Sequence, residues 1–77
     1  MTTYELFYDG GASGGSMTLS GAIARARMLL NGATFDCIAI KPYYGLSEGY
    51  GGILAQVMRL PSGDIATVPL DGYKLHL

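Results

Sequence analysis

The sequence predicts an α+β fold with two layers, in which one helix packs on a mostly antiparallel sheet of four to five strands. Residues 20–31 form the single convincing segment with a helical apolar period. Short apolar segments separated by Gly-, Pro- and Asp-containing turns fill most of the remaining chain. The predicted order is strand, an optional second strand, helix and three more strands. One helix cannot cover two sheet faces, and 77 residues make a single domain, 1–77.

The N-terminal part predicts one strand followed by a glycine-rich loop. In residues 3–8, Tyr4, Leu6 and Tyr8 alternate with the other residues, as in a strand. Residues 9–16 read DGGASGGS, which is typical of a flexible turn. Residues 17–19 would then return as a short strand, which makes the loop a hairpin tip.

The helix of residues 20–31 is predicted to begin at the N-cap Ser20 and to stop at Gly32 in the left-handed conformation. One side of it gathers Leu19, Ala22, Ile23, Ala26, Leu29 and Leu30. The opposite side, the helix back, carries Gly21, Ala24 and Met28, flanked by Arg25 and Arg27. Because a helix on a sheet normally turns polar residues to water, this small and apolar back predicts a binding surface for a partner. Two alternatives stay open, namely a plain exposed face and a sheet that curls over both sides of the helix.

The C-terminal part predicts strands joined by turns. Residues 35–41 form a strand that Pro42 ends, and residues 43–52 form a long glycine-rich connection. Residues 53–60 form a strand that is apolar on both faces apart from Gln56 and Arg59. A hairpin turn at residues 60–64 leads to a strand at 65–70, and a turn at 71–72 leads to a short terminal strand at 73–77.

Charge and composition limit the classes of partner. The net charge is −1, and the five Lys and Arg residues are scattered, which argues against nucleic-acid binding. Hydrophobic residues make up 49% and charged residues 14% of the chain, so we expect apolar surface to stay exposed after folding. No secretory signal pattern and no membrane-spanning apolar stretch occur, which predicts a soluble, cytoplasmic protein without membrane contact.

Stabilising devices and catalytic groups are scarce. One cysteine, Cys37, excludes an intrachain disulfide, and one Cys with one His excludes a zinc cluster, so no metal or cofactor is expected. Cys37 is expected to be a buried structural thiol. The carboxylates are dispersed and no nucleophile stands near a base, so the chain is not expected to be an enzyme. Without a disulfide or a metal site, oligomerisation or docking on a partner remains as the way for this small domain to bury more apolar surface.

Two glycine-rich segments are candidate binding sites. In the tyrosine loop, residues 42–50, we expect Tyr43, Tyr44, Leu46 and Tyr50 either to contact a partner or to cover the open end of the core. In the first loop, the backbone N–H groups of six residues are the alternative candidates for binding an anion or small ligand: Gly10, Gly11, Ser13, Gly14, Gly15 and Ser16. That loop lacks the lysine of a phosphate loop, which favours a plain hairpin tip.

These patterns together predict a small non-enzymatic protein–protein interaction module. The partner-binding candidates are Gly21, Ala24, Arg25 and Met28 on the helix and Tyr43, Tyr44, Leu46 and Tyr50 in the tyrosine loop. Compact chains of this kind are common among phage and mobile-element accessory proteins, including inhibitors that occlude a larger protein, an analogy of class alone. The partner is expected to be a protein, and a homodimer is left open. The alternative is a small-ligand or anion-binding domain.

Overall fold

The computed structural model describes residues 2–8 and 11–70, with only the backbone described at residues 13–16. Its elements are β1 (Thr3–Tyr8), β2 (Gly11–Met17), α1 (Leu19–Asn31), β3 (Cys37–Tyr43), β4 (Ala55–Arg59) and β5 (Ile65–Pro69). The five strands form one antiparallel sheet in the order β2-β1-β3-β4-β5. Helix α1 packs on this sheet, which confirms the predicted two-layer α+β fold.

The core lies between α1 and one face of the sheet, which we call the covered face. Side chains alternate between faces along a strand, and on the covered face Leu6, Ile38, Ile40, Ala55 and Val57 are fully buried. From α1 they meet Ala22, Ile23, Ala26 and Leu30. The predicted apolar side of the helix is therefore confirmed, with Leu19 and Leu29 packed at its margin.

Both ends of α1 differ from the prediction. The N-cap is Thr18 rather than Ser20, and its Oγ1 accepts a hydrogen bond from Gly21 N at 3.1 Å. The helix stops at Gly32 as predicted, but Gly32 has a φ of −119° instead of a left-handed conformation. Backbone hydrogen bonding, from Gly32 N to Leu29 O, ends the helix without that geometry.

Arg59 fastens the end of α1 to the sheet. Its guanidinium donates to the carbonyl oxygens of Leu30, Ala33 and Phe35 and to Asp36 Oδ1, the last at 2.7 Å. The last carbonyls of a helix have no partner within it and carry partial negative charge, so a cation there satisfies both needs. A β4 residue thus holds the turn through which the chain passes from helix to β3.

Arg27 makes a second tie between the layers. Its guanidinium donates to Ile65 O at 3.1 Å and to Thr67 Oγ1 at 3.3 Å, and both acceptors lie on β5. This exposed pair of hydrogen bonds links the middle of α1 to the last strand of the described sheet.

The glycine-rich segment is a strand rather than a loop, and the prediction of a loop at residues 9–16 with a strand at 17–19 is wrong. Residues from Gly11 to Met17 pair with β1, and the register shifts between Tyr4 and Leu6. Glycine accommodates such a bulge because it has no Cβ to clash there. Pairing with β1 therefore overrides the weak strand propensity of these residues. Asp9 and Gly10 lie outside the described residues.

Strand β3 runs through the proline that was expected to end it. Pro42 is buried and pairs with Tyr4 of β1. Leu54 N donates to Ile40 O, and Gly51 N donates to Pro42 O, so even-numbered residues of β3 turn their backbone groups to the β4 side. Strand β4 begins at Ala55, opposite Ile40, so the missing N–H of Pro42 lies beyond the end of that ladder.

The last described strands form the predicted hairpin, slightly shorter than expected. Leu60 N donates to Asp64 O at 2.7 Å, and Gly63 turns the chain with a φ of 93°. The turn predicted at 71–72 and the strand predicted at 73–77 lie outside the described residues.

Candidate protein-binding surface

The second face of the sheet, the open face, is not covered by any helix in residues 2–8 and 11–70. Helix α1 packs on the other side, against Leu6, Ile40 and Val57. Strand alternation and cross-strand register assign the following residues to the open face: Thr3, Glu5, Phe7, Ala12, Cys37, Ala39, Lys41, Tyr43, Gln56, Met58, Ala66 and Val68. Most of these side chains are apolar, so the surface is a largely apolar sheet face.

Cross-strand pairing arranges the open face in rows. One row passes from Phe7 through Ala39 and Gln56 to Val68, which is 37% exposed. A second row passes from Cys37 through Met58 to Ala66. Large and small side chains alternate within both rows, which gives the face a relief of ridges and hollows.

An aromatic cluster occupies one end of the open face. The ring of Tyr50 meets Phe7 edge-on at 5.1 Å between centroids and Tyr43 at 4.9 Å. Lys41 Nζ lies 4.6 Å from the centroid of the Phe7 ring, a cation–π distance. These contacts place the rings against one another on the surface of the sheet.

Glu5 anchors this cluster through a hydrogen bond. Tyr50 Oη donates to Glu5 Oε2 at 2.7 Å. This bond, together with partial burial and the negative charge of Glu5, raises the pKa of Tyr50 above its ordinary value. Tyr50 therefore keeps its proton, and with it the donor that fixes its ring, well into the alkaline range.

The tyrosine loop is a hydrogen-bonded turn. Tyr44 N donates to Gly49 O at 2.9 Å, and Gly49 N donates to Gly45 O at 2.7 Å. Gly45 and Gly49 have φ values of 119° and 68°, which glycine accepts readily. Tyr43 and Tyr50 pair as an isolated antiparallel bridge. The loop thus extends the sheet and carries Tyr50 onto the open face.

The loop residues divide between the two sides of the sheet. Tyr43 and Tyr50 join the open face. The space beside Gly51 is filled by Pro42 and Tyr44, because a Cβ at Gly51 would lie 2.8 Å from Pro42 Cγ and 2.9 Å from Tyr44 Oη. Tyr44 is 49% exposed and does not pack against the core cluster, so the interpretation of the loop as a cover of the core gains no support from it.

Leu46, at the tip of the tyrosine loop, is 99% exposed. It stays a candidate for partner contact, because full exposure of a leucine leaves its apolar area available to another protein.

The predicted helix back is exposed, and it lies on the opposite side of the molecule from the aromatic cluster. Met28 is 70% exposed, and Gly21, Ala24 and Arg25 are exposed as well. The sheet does not curl over this side of α1. The two groups of predicted partner-binding residues therefore form two separate surfaces rather than one.

The residues predicted to bind an anion lie in a strand. Gly11, Ser13, Gly14, Gly15 and Ser16 belong to β2, and Gly10 lies outside the described residues. A phosphate loop needs successive backbone N–H groups that converge on one point, whereas along a strand they alternate in direction. Anion binding stays a prediction, but the loop on which it depended is absent from residues 11–16.

Cys37 lies on the open face and is half-buried, which corrects the expectation of a fully buried thiol. Desolvation by its neighbours raises the pKa of the Cys37 thiol, which disfavours the reactive thiolate.

The sequence interpretation missed Phe7, Glu5, Lys41 and Met58 as surface residues. One signal was present, namely that the segment 53–60 is apolar on both of its faces while the chain offers one helix. A strand that is apolar on both faces needs two covers, and α1 supplies one of them.

Residues 2–8 and 11–70 form no pocket, bring together no group of three or more metal-ligating side chains and include no helix long and apolar enough to cross a membrane. No protein-family model, no curated protein and no solved structure matches this chain.

Proposed function

We propose that this protein is a non-enzymatic protein–protein interaction module that binds its partner on the open face of the sheet. The observation that carries the proposal is a contiguous, largely apolar sheet face opposite the core, which no second layer covers among the described residues and whose side chains are mostly half-buried. Monomeric proteins seldom leave such a face to water, because burying apolar area is favourable by about 25 cal/mol per Å².

The residue types of the open face support this proposal. Phe, Tyr and Met are enriched in the centres of protein interfaces, and Phe7, Tyr50 and Met58 stand on this face. Glu5 and Lys41 already contact these rings in the unbound protein, so ordering the side chains on binding would cost little conformational entropy. Pre-positioned aromatic rings are the usual anchors of an interface.

In its finer form, the proposal is that the protein works in the cytoplasm and covers a surface of a larger protein, as phage and mobile-element accessory proteins and inhibitors do. The small size of the domain and its low content of charged residues, 14%, support this form. The exposed Met28 and Leu46 offer additional contacts outside the open face.

The test is capture of proteins from a lysate of the source cells, compared quantitatively between the unchanged protein and two matched variants. Met58→Lys places a charge on the open face, in the row of Cys37, Met58 and Ala66, and Met28→Lys makes the same change on the helix back. Circular dichroism and urea unfolding first confirm that both variants are folded.

We expect Met58→Lys to lose the captured protein and Met28→Lys to retain it. Loss of capture with Met28→Lys alone would move the binding surface to the helix back. Equal capture by all three proteins would contradict the proposed role of the open face.

A further inference from the structure

We infer that the occupant of the open face is a second copy of this chain, packed face to face through a twofold axis. This inference rests on the proposed function, because it names the partner of the same surface. A second copy then takes the place of a larger protein on the open face, and the protein that the lysate capture recovers through this face would be this chain itself. In the resulting assembly the two sheets form the inner layers and the two α1 helices the outer layers. Twofold pairing places the same patch of both copies in contact, so the patch must complement itself.

The charges of the open face meet this requirement. Among its described residues the charged side chains are Glu5 and Lys41, which are direct cross-strand partners. The face is therefore neutral as a whole and offers one group of each sign. A twofold axis brings Glu5 of one copy towards Lys41 of the other, and the converse pair forms at the same time. A strongly acidic or basic partner would find no matching field on this face.

The relief of the face also complements itself. Phe7 and Met58 project beside Ala39 and Ala66, which are their cross-strand neighbours. When two sheets pack with their strands about 30° apart, the side chains of one inner face enter the hollows of the other. Phe7 of one copy can thus rest on Ala39 of its partner, because the axis that pairs Glu5 with Lys41 also exchanges the positions of Phe7 and Ala39.

The size of the face sets the expected strength of the dimer. Five strands about 4.8 Å apart, each with five residues about 3.3 Å apart, cover a footprint of roughly 400 Å². Projecting side chains add to this, so two copies would bury on the order of 1,000 Å² in total, where weak specific interfaces begin. We therefore expect dimerisation with a dissociation constant of roughly micromolar size rather than an obligate dimer.

The aromatic cluster lowers the cost of burying charged groups in such a dimer. The Glu5 carboxylate already accepts the Tyr50 hydroxyl, and Lys41 Nζ already rests on the Phe7 ring. A charge that is paired and hydrogen-bonded costs much less to remove from water than an isolated one.

Sedimentation velocity over a range of concentrations tests this inference on the full chain, with Met58→Lys and Met28→Lys as matched variants. We expect the unchanged protein to pass from monomer to dimer with rising concentration. Met58→Lys should weaken the dimer by at least about tenfold in dissociation constant, because it brings an unpaired charge into a mostly apolar contact. Met28→Lys should leave the constant within about twofold. A second open-face variant, Val68→Lys at the edge strand β5, keeps the test usable if Met58→Lys does not fold.

Each other outcome has a defined meaning. A monomer at all concentrations would overturn the second-copy inference, while the proposed function would still be decided by the lysate capture. A dimer that Met28→Lys disrupts and Met58→Lys leaves intact would also overturn the inference, because it would place the contact on the helix back.

Discussion

The two faces of the sheet are built from the same strands, yet they carry different kinds of apolar side chain. The covered face presents Leu6, Ile38, Ile40 and Val57, compact aliphatic residues that are fully buried beneath α1. The open face presents Phe7, Tyr50, Met58 and Lys41, which have an aromatic ring, a flexible thioether or a long stem with a charged tip. Residues of the second kind tolerate water and still bury well in contact with another protein. The residue types along a strand, and not only their hydropathy, therefore distinguish a face that belongs to a permanent core from a face proposed as a transient interface.

The largest expected effect is on the free energy of unfolding, when one side chain is truncated on each face in turn. Ile38→Ala leaves a cavity beneath α1 and should lower the free energy of unfolding by about 3 kcal/mol. Met58→Ala, on the open face, should lower it by less than about 1 kcal/mol in the monomer, because water already reaches this side chain. Urea unfolding at low protein concentration measures both. Equal losses would mean that the open face belongs to a core.

The second effect concerns the tie between the covered face and the helix. Arg59→Met removes the donor to the carbonyls at the end of α1 and should lower the free energy of unfolding by about 2 kcal/mol. Arg27→Met removes two exposed hydrogen bonds and should cost about 1 kcal/mol or less. Urea unfolding of the two variants checks this order. The reverse order would show that β5, rather than the turn after α1, is the critical attachment.

The third effect concerns the loop that brings Tyr50 to the open face. Gly51→Ala places a Cβ 2.8 Å from Pro42 Cγ, so the ring or the backbone must shift. We expect a loss of about 1–2 kcal/mol in the free energy of unfolding, as for overpacking. Gly52→Ala is the control, because nothing lies within 4 Å of a Cβ there. If thermal unfolding shows equal losses in the two variants, the packing around Gly51 is looser than described.

The smallest effect is a change in the titration of one tyrosine. Glu5→Gln removes the charge that accepts the Tyr50 hydroxyl, so the pKa of Tyr50 should fall towards its ordinary value. Because folding raises this pKa, the associated stabilisation is present below pH about 10 and is lost as the pH rises through the folded pKa. Ultraviolet absorbance of tyrosinate against pH should show one of the six tyrosines ionising earlier in the variant. Superimposable titration curves would contradict the Glu5–Tyr50 contact.

Much of the fold could be predicted from local patterns, since the helical period of α1 and the Pro-Gly hairpin turn are signals carried by neighbouring residues. The glycine-rich β2 could not be predicted in this way, because its strand conformation comes from pairing with β1 rather than from its own propensity. The continuation of β3 through Pro42 could not be predicted for a related reason. Whether the strand can contain a proline at this position depends on where β4 begins.

The candidate site was only half predictable. Tyr43 and Tyr50 could be named as candidate binding residues because their loop is aromatic and glycine-rich. Phe7 and Lys41 join them only through the pairing of β1 with β3, which brings together residues far apart in the sequence. The partition of Tyr43, Tyr50 and Met28 between opposite sides of the molecule likewise follows from topology.

An isotope-filtered nuclear Overhauser measurement on a mixture of labelled and unlabelled copies tests the central claim most directly, since it records contacts between copies alone. We expect signals between copies from the methyl group of Ala39 to the ring of Phe7. Signals that arise from the Met28 methyl group, or no signal between copies at concentrations well above the expected micromolar range, would contradict it.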